Sequence, residues 1–281
     1  MEQKGVKLST IRQACSECNL FQLCLPVSLE NDDVEMLDQI VQRRRPLARG
    51  EHLYRAHDEF NAIYAVRAGA IKTTMLSPEG EEQITGFHLP GEILGLDAIS
   101  GSRHPCNAIA LETTSVCEIP FDNLESLAAQ IPGLQHTLLR IMSKEIFEDQ
   151  EMLYAVAKRT AEERLAIALL SFSERFGRRG LSSRNFRLPM SRTDLANYLG
   201  LAPETMSRLF KRFQEQGLLH AEGKEVVLKD MDGLHELARA RPVTEKDHRG
   251  GRHSKAWRRA VSGGRTSPPA APASGASAPR R

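Results

Sequence analysis

The stretch from Ser191 to Phe213 constrains the fold of this 281-residue chain more than any other. Apolar residues in its second half recur at helical spacing, at Met206, Leu209, Phe210 and Phe213. Gly200 suits a tight turn before that helix, and Pro203 suits the first helical position. Ser191, followed three residues later by Asp194, predicts an N-terminal cap for a preceding helix. The stretch therefore predicts two short helices joined by a sharp turn.

The polar face of the second helix suits contacts with DNA. Glu204, Ser207 and Arg208 share the side opposite the apolar residues, near the end that enters the major groove in a helix–turn–helix. Arginine bonds guanine bidentately, glutamate accepts from cytosine, and serine contacts a base or a phosphate. Lys211 and Arg212 are placed for phosphates, which position a protein without specifying sequence. The alternative is an ordinary pair of surface helices with solvated charges.

The rest of the chain divides into segments with different periodicities. Residues 29–42 have helical spacing, and short apolar runs broken by turns between 45 and 121 predict a β-sandwich or jelly roll. Pro132 opens a long helical segment, and a second helix is expected from Thr160 to Phe176. The run LLHAEGKEVVL predicts a β-hairpin wing after the two short helices.

Charge is distributed unevenly along the chain. The net charge is +2, but residues 241–281 hold ten Lys or Arg and two acidic residues, so the remaining 240 residues sum to −6. The composition of this basic tail is typical of disordered segments. The tail either adds non-specific affinity for phosphates or is a passive solvated extension. No apolar run approaches the roughly 18 residues of a membrane span, and no secretory signal is visible. We therefore expect a soluble, cytoplasmic protein.

The cysteines have the spacing of metal ligands. Cys15, Cys18 and Cys24 form a C-x2-C-x5-C pattern within ten residues. In a reducing compartment such cysteines favour metal or redox chemistry over disulfides. A [4Fe–4S] cluster needs four ligands, and the fourth would be Cys106 or Cys117, which spacing does not separate. Structural zinc and plain thiols remain the alternatives.

An enzyme or electron carrier is the competing class. The sequence contains no GxGxxG fingerprint, no phosphate-binding P-loop and no paired carboxylates near a histidine. The histidines are scattered, and nothing marks a catalytic residue. We therefore predict that the chain is not an enzyme.

Several segments together resemble the FNR branch of the CRP/FNR family. They are the arm cysteines and the phrases EEQITGFHLPGEILGLDAI, TTSVCEIPF, AEERLA and ETMSRLFKRF. The resemblance runs from about Cys15 to about Leu228 and omits the tail. It implies an α+β protein with a cluster-binding arm (1–28), an N-terminal β-roll sensor (29–130), a long dimerisation helix (131–158), a C-terminal winged helix–turn–helix domain (159–240) and a tail (241–281).

The resemblance also implies an oxygen-sensing transcription regulator. Cys15, Cys18, Cys24 and Cys117 match the family's [4Fe–4S] ligands, whereas Cys106 has no counterpart and is interpreted as a bystander. Glu204, Ser207 and Arg208 match the base-reading residues for a palindrome resembling TTGAT-N4-ATCAA. Under anaerobic conditions the cluster would promote a homodimer that binds this DNA, and oxygen would reverse the change.

Two further features concern other ligands and partners. Glu92 in the GEILGL segment is similar to part of the family's cyclic-nucleotide pocket, but Pro105-Cys106-Asn107 replaces the phosphate-binding segment, which argues against nucleotide binding. The turn containing Ser77, Glu79, Gly80 and Glu81 falls where the family contacts RNA polymerase. On sequence alone, it is equally a plain hairpin turn.

The long helix suggests how dimerisation would be switched. Asp149 lies close to the expected seam between two copies, where like charges weaken pairing. We expect repulsion between paired Asp149 residues to keep the cluster-free chain monomeric. Cluster assembly would repack the helix, with Ile146 as an apolar contact, and so favour the dimer.

Overall fold

The computed structural model describes residues 14–238. The first 13 residues of the predicted arm lie outside the described residues, as does the basic tail at 241–281 with its suggested phosphate affinity. Within the described range, no helix combines the length and the apolar character needed to cross a membrane.

The cysteine arm is a succession of short 3-10 turns, which span Cys15–Glu17, Phe21–Leu23 and Leu25–Ser28. Its C-terminal part is attached to the core, because Leu25 is only 1% exposed and packs in a cluster with Leu37. Leu37 belongs to helix α1 (Asn31–Ile40), which confirms the helix predicted over 29–42. Burying a leucine of this kind contributes about 2 kcal/mol.

Eight strands within residues 14–238 form the predicted sandwich. They are β1 (Gln42–Arg43), β2 (His52–Tyr54), β3 (Ala62–Ala68), β4 (Ile71–Leu76), β5 (Glu82–His88), β6 (Ile93–Leu94), β7 (Asn107–Ala110) and β8 (Ser115–Pro120). One antiparallel sheet has the order β1-β8-β3-β6, and the other has the order β2-β7-β4-β5. The β-roll prediction is confirmed.

Strand β3 is covered on both faces, which explains why its first five residues are all buried. Tyr64 and Val66 belong to the cluster between the two sheets. Ile63 and Ala65 pack instead with Leu124 of helix α2 (Phe121–Gln130). Helix α3 (Pro132–Lys158) follows directly, with Pro132 in the predicted first position.

The C-terminal part contains the predicted winged helix–turn–helix. Its elements are α4 (Ala161–Arg178), β9 (Asn185–Arg187), α5 (Arg192–Tyr198), α6 (Pro203–Glu215), β10 (Leu219–Glu222), β11 (Glu225–Leu228) and α7 (Met231–Ala238). The strands form an antiparallel sheet in the order β10-β11-β9. Strand β9 and helix α7 were not predicted, and the wing hairpin β10–β11 is confirmed.

The β-roll contacts the winged domain through strand β5 and helix α5. The backbone N–H of Ile84 donates to Oδ1 of Asn197 at 2.6 Å, and Nδ2 of Asn197 donates to the carbonyl of Glu82 at 2.7 Å. The side-chain amide of Asn197 therefore pairs with a backbone N–H and a backbone carbonyl of β5, as a neighbouring strand would. Lys72 of β4 adds a bond of 3.1 Å to Oδ1 of Asp194.

Candidate metal centre and nucleic-acid interface

Helix α6 presents the three predicted base-reading residues together. Glu204, Ser207 and Arg208 are exposed, while Met206 and Phe210 on the opposite face are 0% and 1% exposed. The buried face anchors α6 against the winged domain, so the polar face is directed away from the core. This arrangement is the one that major-groove recognition requires.

The two predicted phosphate-binding residues differ in their surroundings. The ammonium of Lys211 lies 3.8 Å from a carboxylate oxygen of Glu215, one helical turn away, and both side chains are mostly exposed. Arg212 donates instead to the carboxylate of Glu162, at the start of α4. A DNA phosphate near Arg212 would have to compete with this carboxylate. Sequence reasoning missed the pair because Glu162 lies far away in the chain.

The orientation of α6 is fixed by the turn and by the cap of α5. Ser191 Oγ accepts from the backbone N–H of Asp194 at 3.0 Å, and Asp194 Oδ2 accepts from the N–H of Ser191 at 3.0 Å, so the predicted capping box is confirmed. Gly200 has φ +63°, the left-handed conformation that glycine adopts without strain. Arg164 donates to the carbonyl of Leu199 at 2.9 Å, which holds this turn to α4.

Four of the five cysteines lie on elements that meet at one side of the β-roll. Cys15, Cys18 and Cys24 belong to the arm, and Cys117 lies on β8. Cys24 and Cys117 pack against the same apolar cluster. The thiols are close enough to act on one another electrostatically, because Cys117 and Cys18 both disfavour ionisation of Cys24. The fold therefore gathers all four predicted ligands in one region.

Deprotonating these thiols is unfavourable without a cation. Burial raises the pKa of Cys24 to about 12, and neighbouring thiols act in the same direction. Burial also raises the pKa of Cys117, although the positive charges of Arg43 and Arg67 oppose this. Metal coordination stabilises the thiolate form and would remove this penalty.

The donor set fits an iron–sulfur cluster by chemistry and number, since four thiolates are the usual ligands of [4Fe–4S]. Among residues 14–238, however, no three Cys, His, Asp or Glu side chains already have the mutual placement that holds a metal ion.

Asp38 of α1 ties down the start of the arm. Its Oδ1 accepts from the backbone N–H of Cys15 at 3.0 Å and from Nη2 of Arg43 at 2.7 Å. Burial opposes ionisation of this carboxyl, but the hydrogen bonds from Arg43 and Cys15 outweigh it and lower the pKa of Asp38. The sequence did not predict these hydrogen bonds, because Cys15, Asp38 and Arg43 lie in three separate elements.

Cys106 occupies a different core. It is 3% exposed, belongs to the cluster between the two sheets, and donates from Sγ to Oδ2 of Asp97 at 3.2 Å. Burial raises its pKa to about 12, and Asp97 adds to this shift. Although its sequence neighbours are polar, the side chain fills the interior beside Tyr54.

Helix α3 carries an exposed apolar stripe that includes one of the two predicted switch residues, Ile146. Leu139, Ile146 and Leu153 are 59%, 57% and 71% exposed and are spaced seven residues apart. Asp149 is exposed three residues after Ile146, on the adjoining side. Partial burial raises the pKa of Asp149, and the charges of Glu148 and Asp97 act in the same direction. The one acidic group among these residues is thus already in an unfavourable electrostatic environment.

The segment at 77–81 forms the closed tip of the β4–β5 hairpin. Ser77 Oγ accepts from the backbone N–H groups of Glu79 and Glu81, both at 3.2 Å, and the N–H of Gly80 donates to the Ser77 carbonyl at 2.9 Å. The four residues named in the sequence therefore belong to one hydrogen-bonded turn, in which Glu79, Gly80 and Glu81 are exposed and Ser77 is half-buried.

Glu92 binds helix α4 and not an open pocket. Its Oε1 accepts from Nε of Arg175 at 2.9 Å and from Nη2 of Arg179 at 2.6 Å. Burial alone would raise its pKa, but the two guanidinium groups outweigh burial and lower the pKa of Glu92 to about 2. Glu92 therefore joins the β-roll to the winged domain.

The turn beside Glu92 also touches the cysteine arm. Gly91 has φ +90°, and a Cβ atom added there would lie 2.8 Å from Cβ of Leu23. Only a glycine permits this approach without displacing the arm. The arm therefore contacts Gly91, and α4 contacts the next residue of the same turn, Glu92.

Comparisons with known proteins agree with this arrangement. The cyclic nucleotide-binding domain model matches residues 44–131, and the Crp-like helix-turn-helix domain model matches residues 163–237. Transcriptional activator protein FnrA of Stutzerimonas stutzeri is 52% identical over 236 residues, which cover 84% of this chain and 97% of that protein. The chain belongs to the FNR-type regulators of the CRP/FNR family. It is therefore a DNA-binding transcription regulator of the anaerobic response and not an enzyme.

Other CRP/FNR proteins extend the comparison. The fumarate and nitrate reduction regulatory protein of Escherichia coli K12 is 46% identical over 224 residues, covering 80% of this chain and 90% of that protein. The solved structure of FixK2 from Bradyrhizobium japonicum superposes with a TM-score of 0.66 at 30% identity, covering 72% of this chain and 99% of that one. The FNR-type regulator described here thus shares both sequence and fold with the family.

Proposed function

We propose that this FNR-type regulator senses oxygen through a [4Fe–4S] cluster held by Cys15, Cys18, Cys24 and Cys117. With the cluster bound, the chain forms a homodimer and binds a palindrome resembling TTGAT-N4-ATCAA under anaerobic conditions. Oxygen destroys the cluster and switches the regulator off. The gathering of four thiols from the arm and β8 is the observation that carries this proposal.

The arm has a direct contact with the proposed dimerisation helix. The hydroxyl of Thr137 on α3 donates to Oγ of Ser28 at 3.0 Å. A Cβ atom at Gly133 would lie 3.2 Å from the Ser28 carbonyl oxygen, so the two backbones are in close contact. The turn bearing Ser28 begins directly after Cys24. A displacement of Cys24 on cluster binding would therefore be transmitted through this turn to the start of α3.

The residues of α3 supply the opposing forces of the switch. Burial of Leu139, Ile146 and Leu153 against a second copy favours pairing, because apolar surface leaves water. Repulsion between two Asp149 carboxylates that face each other across the seam opposes pairing. A free-energy change of about 5.5 kcal/mol shifts a two-state equilibrium from 1:99 to 99:1. A modest repacking of α3 is therefore enough to change the balance between monomer and dimer.

The remaining parts of the proposal concern location and partners. The regulator acts in the cytoplasm, where its DNA and RNA polymerase are found. The hairpin tip with Ser77, Glu79, Gly80 and Glu81 is the proposed polymerase contact, because the last three are exposed and Ser77 hydrogen-bonds across the turn. Cyclic nucleotide is not its ligand, since Glu92 is bonded to Arg175 and Arg179.

The test begins with full-length protein purified without oxygen. We expect about four iron atoms per chain, a broad visible absorption that bleaches in air, and a dimer by sedimentation that dissociates as the colour is lost. Zinc in place of iron, or a colourless dimer that is unchanged by air, would contradict the sensor. If the colour were lost without a change in dimerisation, the cluster would not control the equilibrium between monomer and dimer.

Recognition of the palindrome is expected to depend on Arg208. Replacing Arg208 with alanine removes a bidentate contact to guanine, which is worth about 1–3 kcal/mol of discrimination. In an anaerobic gel shift, the variant should bind the palindrome about 10- to 100-fold more weakly, while its binding to unrelated DNA changes little. Arg55→Ala, at an exposed position on the β-roll, is the matched control. Unchanged discrimination by Arg208→Ala would remove this residue from base reading.

A further inference from the structure

Glu162 connects the start of helix α4 to the recognition helix α6. Its carboxylate accepts a hydrogen bond from Nη1 of Arg212, and the side chains of Glu162 and Arg212 are 27% and 57% exposed. The two residues are 50 positions apart in the sequence. The ion pair is therefore formed by the packing of α4 against α6 and not by spacing within one helix.

The cap of α4 depends on the next residue, Glu163. The carboxylate of Glu163 accepts from the backbone N–H of Thr160 at 2.8 Å, and the Thr160 hydroxyl accepts from the N–H of Glu163 at 3.3 Å. Glu163 also lies 3.4 Å from Nη1 of Arg159. Because these contacts do not involve Glu162, its charge can be removed without uncapping the helix.

Arg212 lies on the side of α6 that suits contact with DNA. It follows Arg208 by four residues, so the two side chains are neighbours on one face of the helix, and both are exposed. The turn before α6 is attached to the same part of α4, because Arg164 donates to the carbonyl of Leu199 at 2.9 Å. A DNA backbone that contacts Arg212 therefore also comes close to the carboxylate of Glu162.

A carboxylate at this position opposes the binding of phosphates. Exposed ion pairs are weak, so a DNA phosphate can displace Glu162 from Arg212. Displacement leaves the Glu162 carboxylate beside the phosphate backbone without its partner, and the like charges repel. If the ion pair instead persists, Arg212 brings no net positive charge to the phosphate. In both cases, Arg212 contributes less to DNA affinity than a free arginine would.

We propose that Glu162 sets the DNA affinity of this regulator by limiting the phosphate contact of Arg212. Phosphate contacts carry no sequence information, so this limit lowers binding to all DNA and leaves base reading by Arg208 unchanged. A larger share of the binding free energy then comes from base contacts, which separate the palindrome from unrelated DNA. The inference rests on the proposed docking of α6 on DNA and adds a residue that opposes it.

Glu162→Gln tests the inference, because glutamine keeps the shape of the side chain and removes its charge. In gel shifts with full-length protein prepared without oxygen, binding to the palindrome and to an unrelated duplex should both tighten, by about 3- to 10-fold. The slope of log affinity against log salt concentration should become steeper by about 0.9 per subunit, since each Arg212 then neutralises one phosphate. Glu215→Gln, which removes the same charge beside Lys211 on α6, is the control and should change neither quantity appreciably.

A second variant separates the effect of charge from an effect on folding. Arg212→Gln alone should weaken binding to both duplexes, because Glu162 then faces the phosphates without a partner. Adding Glu162→Gln should return binding close to the parent level, since the pair that is removed has no net charge.

Unchanged or weaker binding by Glu162→Gln, or tightening confined to the palindrome, would overturn the inference. The proposed function has a separate readout, which is the preference of the parent protein for the palindrome. If the parent protein lacked that preference while Glu162→Gln still bound unrelated DNA more tightly, the proposed palindrome would fail and the role of Glu162 would stand.

Discussion

Replacing Cys117 with serine should abolish oxygen-dependent DNA binding. Serine is nearly isosteric with cysteine but lacks the soft sulfur ligand that iron–sulfur clusters require. Anaerobically purified Cys117→Ser protein should lose the visible absorption and nearly all of its iron, and should sediment as a monomer. Its affinity for the palindrome should fall by about 1,000-fold, toward the level of non-specific binding.

The matched control is Cys106→Ser, because this residue is also a buried cysteine of the β-roll. Cys106 lies in the cluster between the sheets and donates to Asp97, so a serine hydroxyl can make a similar bond. We expect its iron content and DNA affinity to match the parent protein. Loss of iron in Cys106→Ser with retention in Cys117→Ser would reverse the assignment of the fourth ligand. Retention in both variants would show that three arm thiols suffice.

Replacing Asp149 with alanine should produce a dimer in air. Two carboxylates about 8 Å apart repel by about 2 kcal/mol at an effective dielectric constant of about 20. Removing that repulsion should lower the dimer dissociation constant about 30-fold, without any change at the cysteines. Sedimentation of aerobically purified protein measures the dimer, and a gel shift in air measures its binding to the palindrome.

Glu151→Ala is the control for net charge. It removes the same charge from α3, but position 151 lies on the side of the helix away from the seam stripe and is exposed. This variant should remain monomeric in air. Equal dimerisation of both variants would mean that total charge, and not the seam, controls pairing. A monomeric Asp149→Ala protein would refute the repulsion mechanism.

Sequence patterns predicted the features that depend on local spacing. The apolar face of α6 follows from the positions of Met206, Leu209, Phe210 and Phe213, and the turn follows from Gly200. The grouping of three arm cysteines was likewise visible in their spacing. These features are local because helix periodicity and turn geometry involve only neighbouring residues.

Features created by tertiary contacts were not predictable in the same way. Glu92 resembles part of a ligand pocket in the sequence, but its partners are Arg175 of α4 and Arg179, which directly follows that helix. Cys106 follows a polar run, yet it is buried because the opposite sheet supplies its neighbours. In both cases, residues distant in sequence decide the environment of the side chain, and a single sequence carries no local signal of such pairs.

The close approach at Gly91 has a mechanical consequence. On one side of this turn, the arm residue Leu23 leaves no room for a side chain, and on the other side Glu92 binds two arginines of the DNA-binding domain. A displacement of the arm at this point would therefore act on the same turn that anchors α4. If the proposed loss of the cluster loosens the arm, it would therefore also disturb the contact between the β-roll and α4 within each chain, in addition to its proposed effect on pairing.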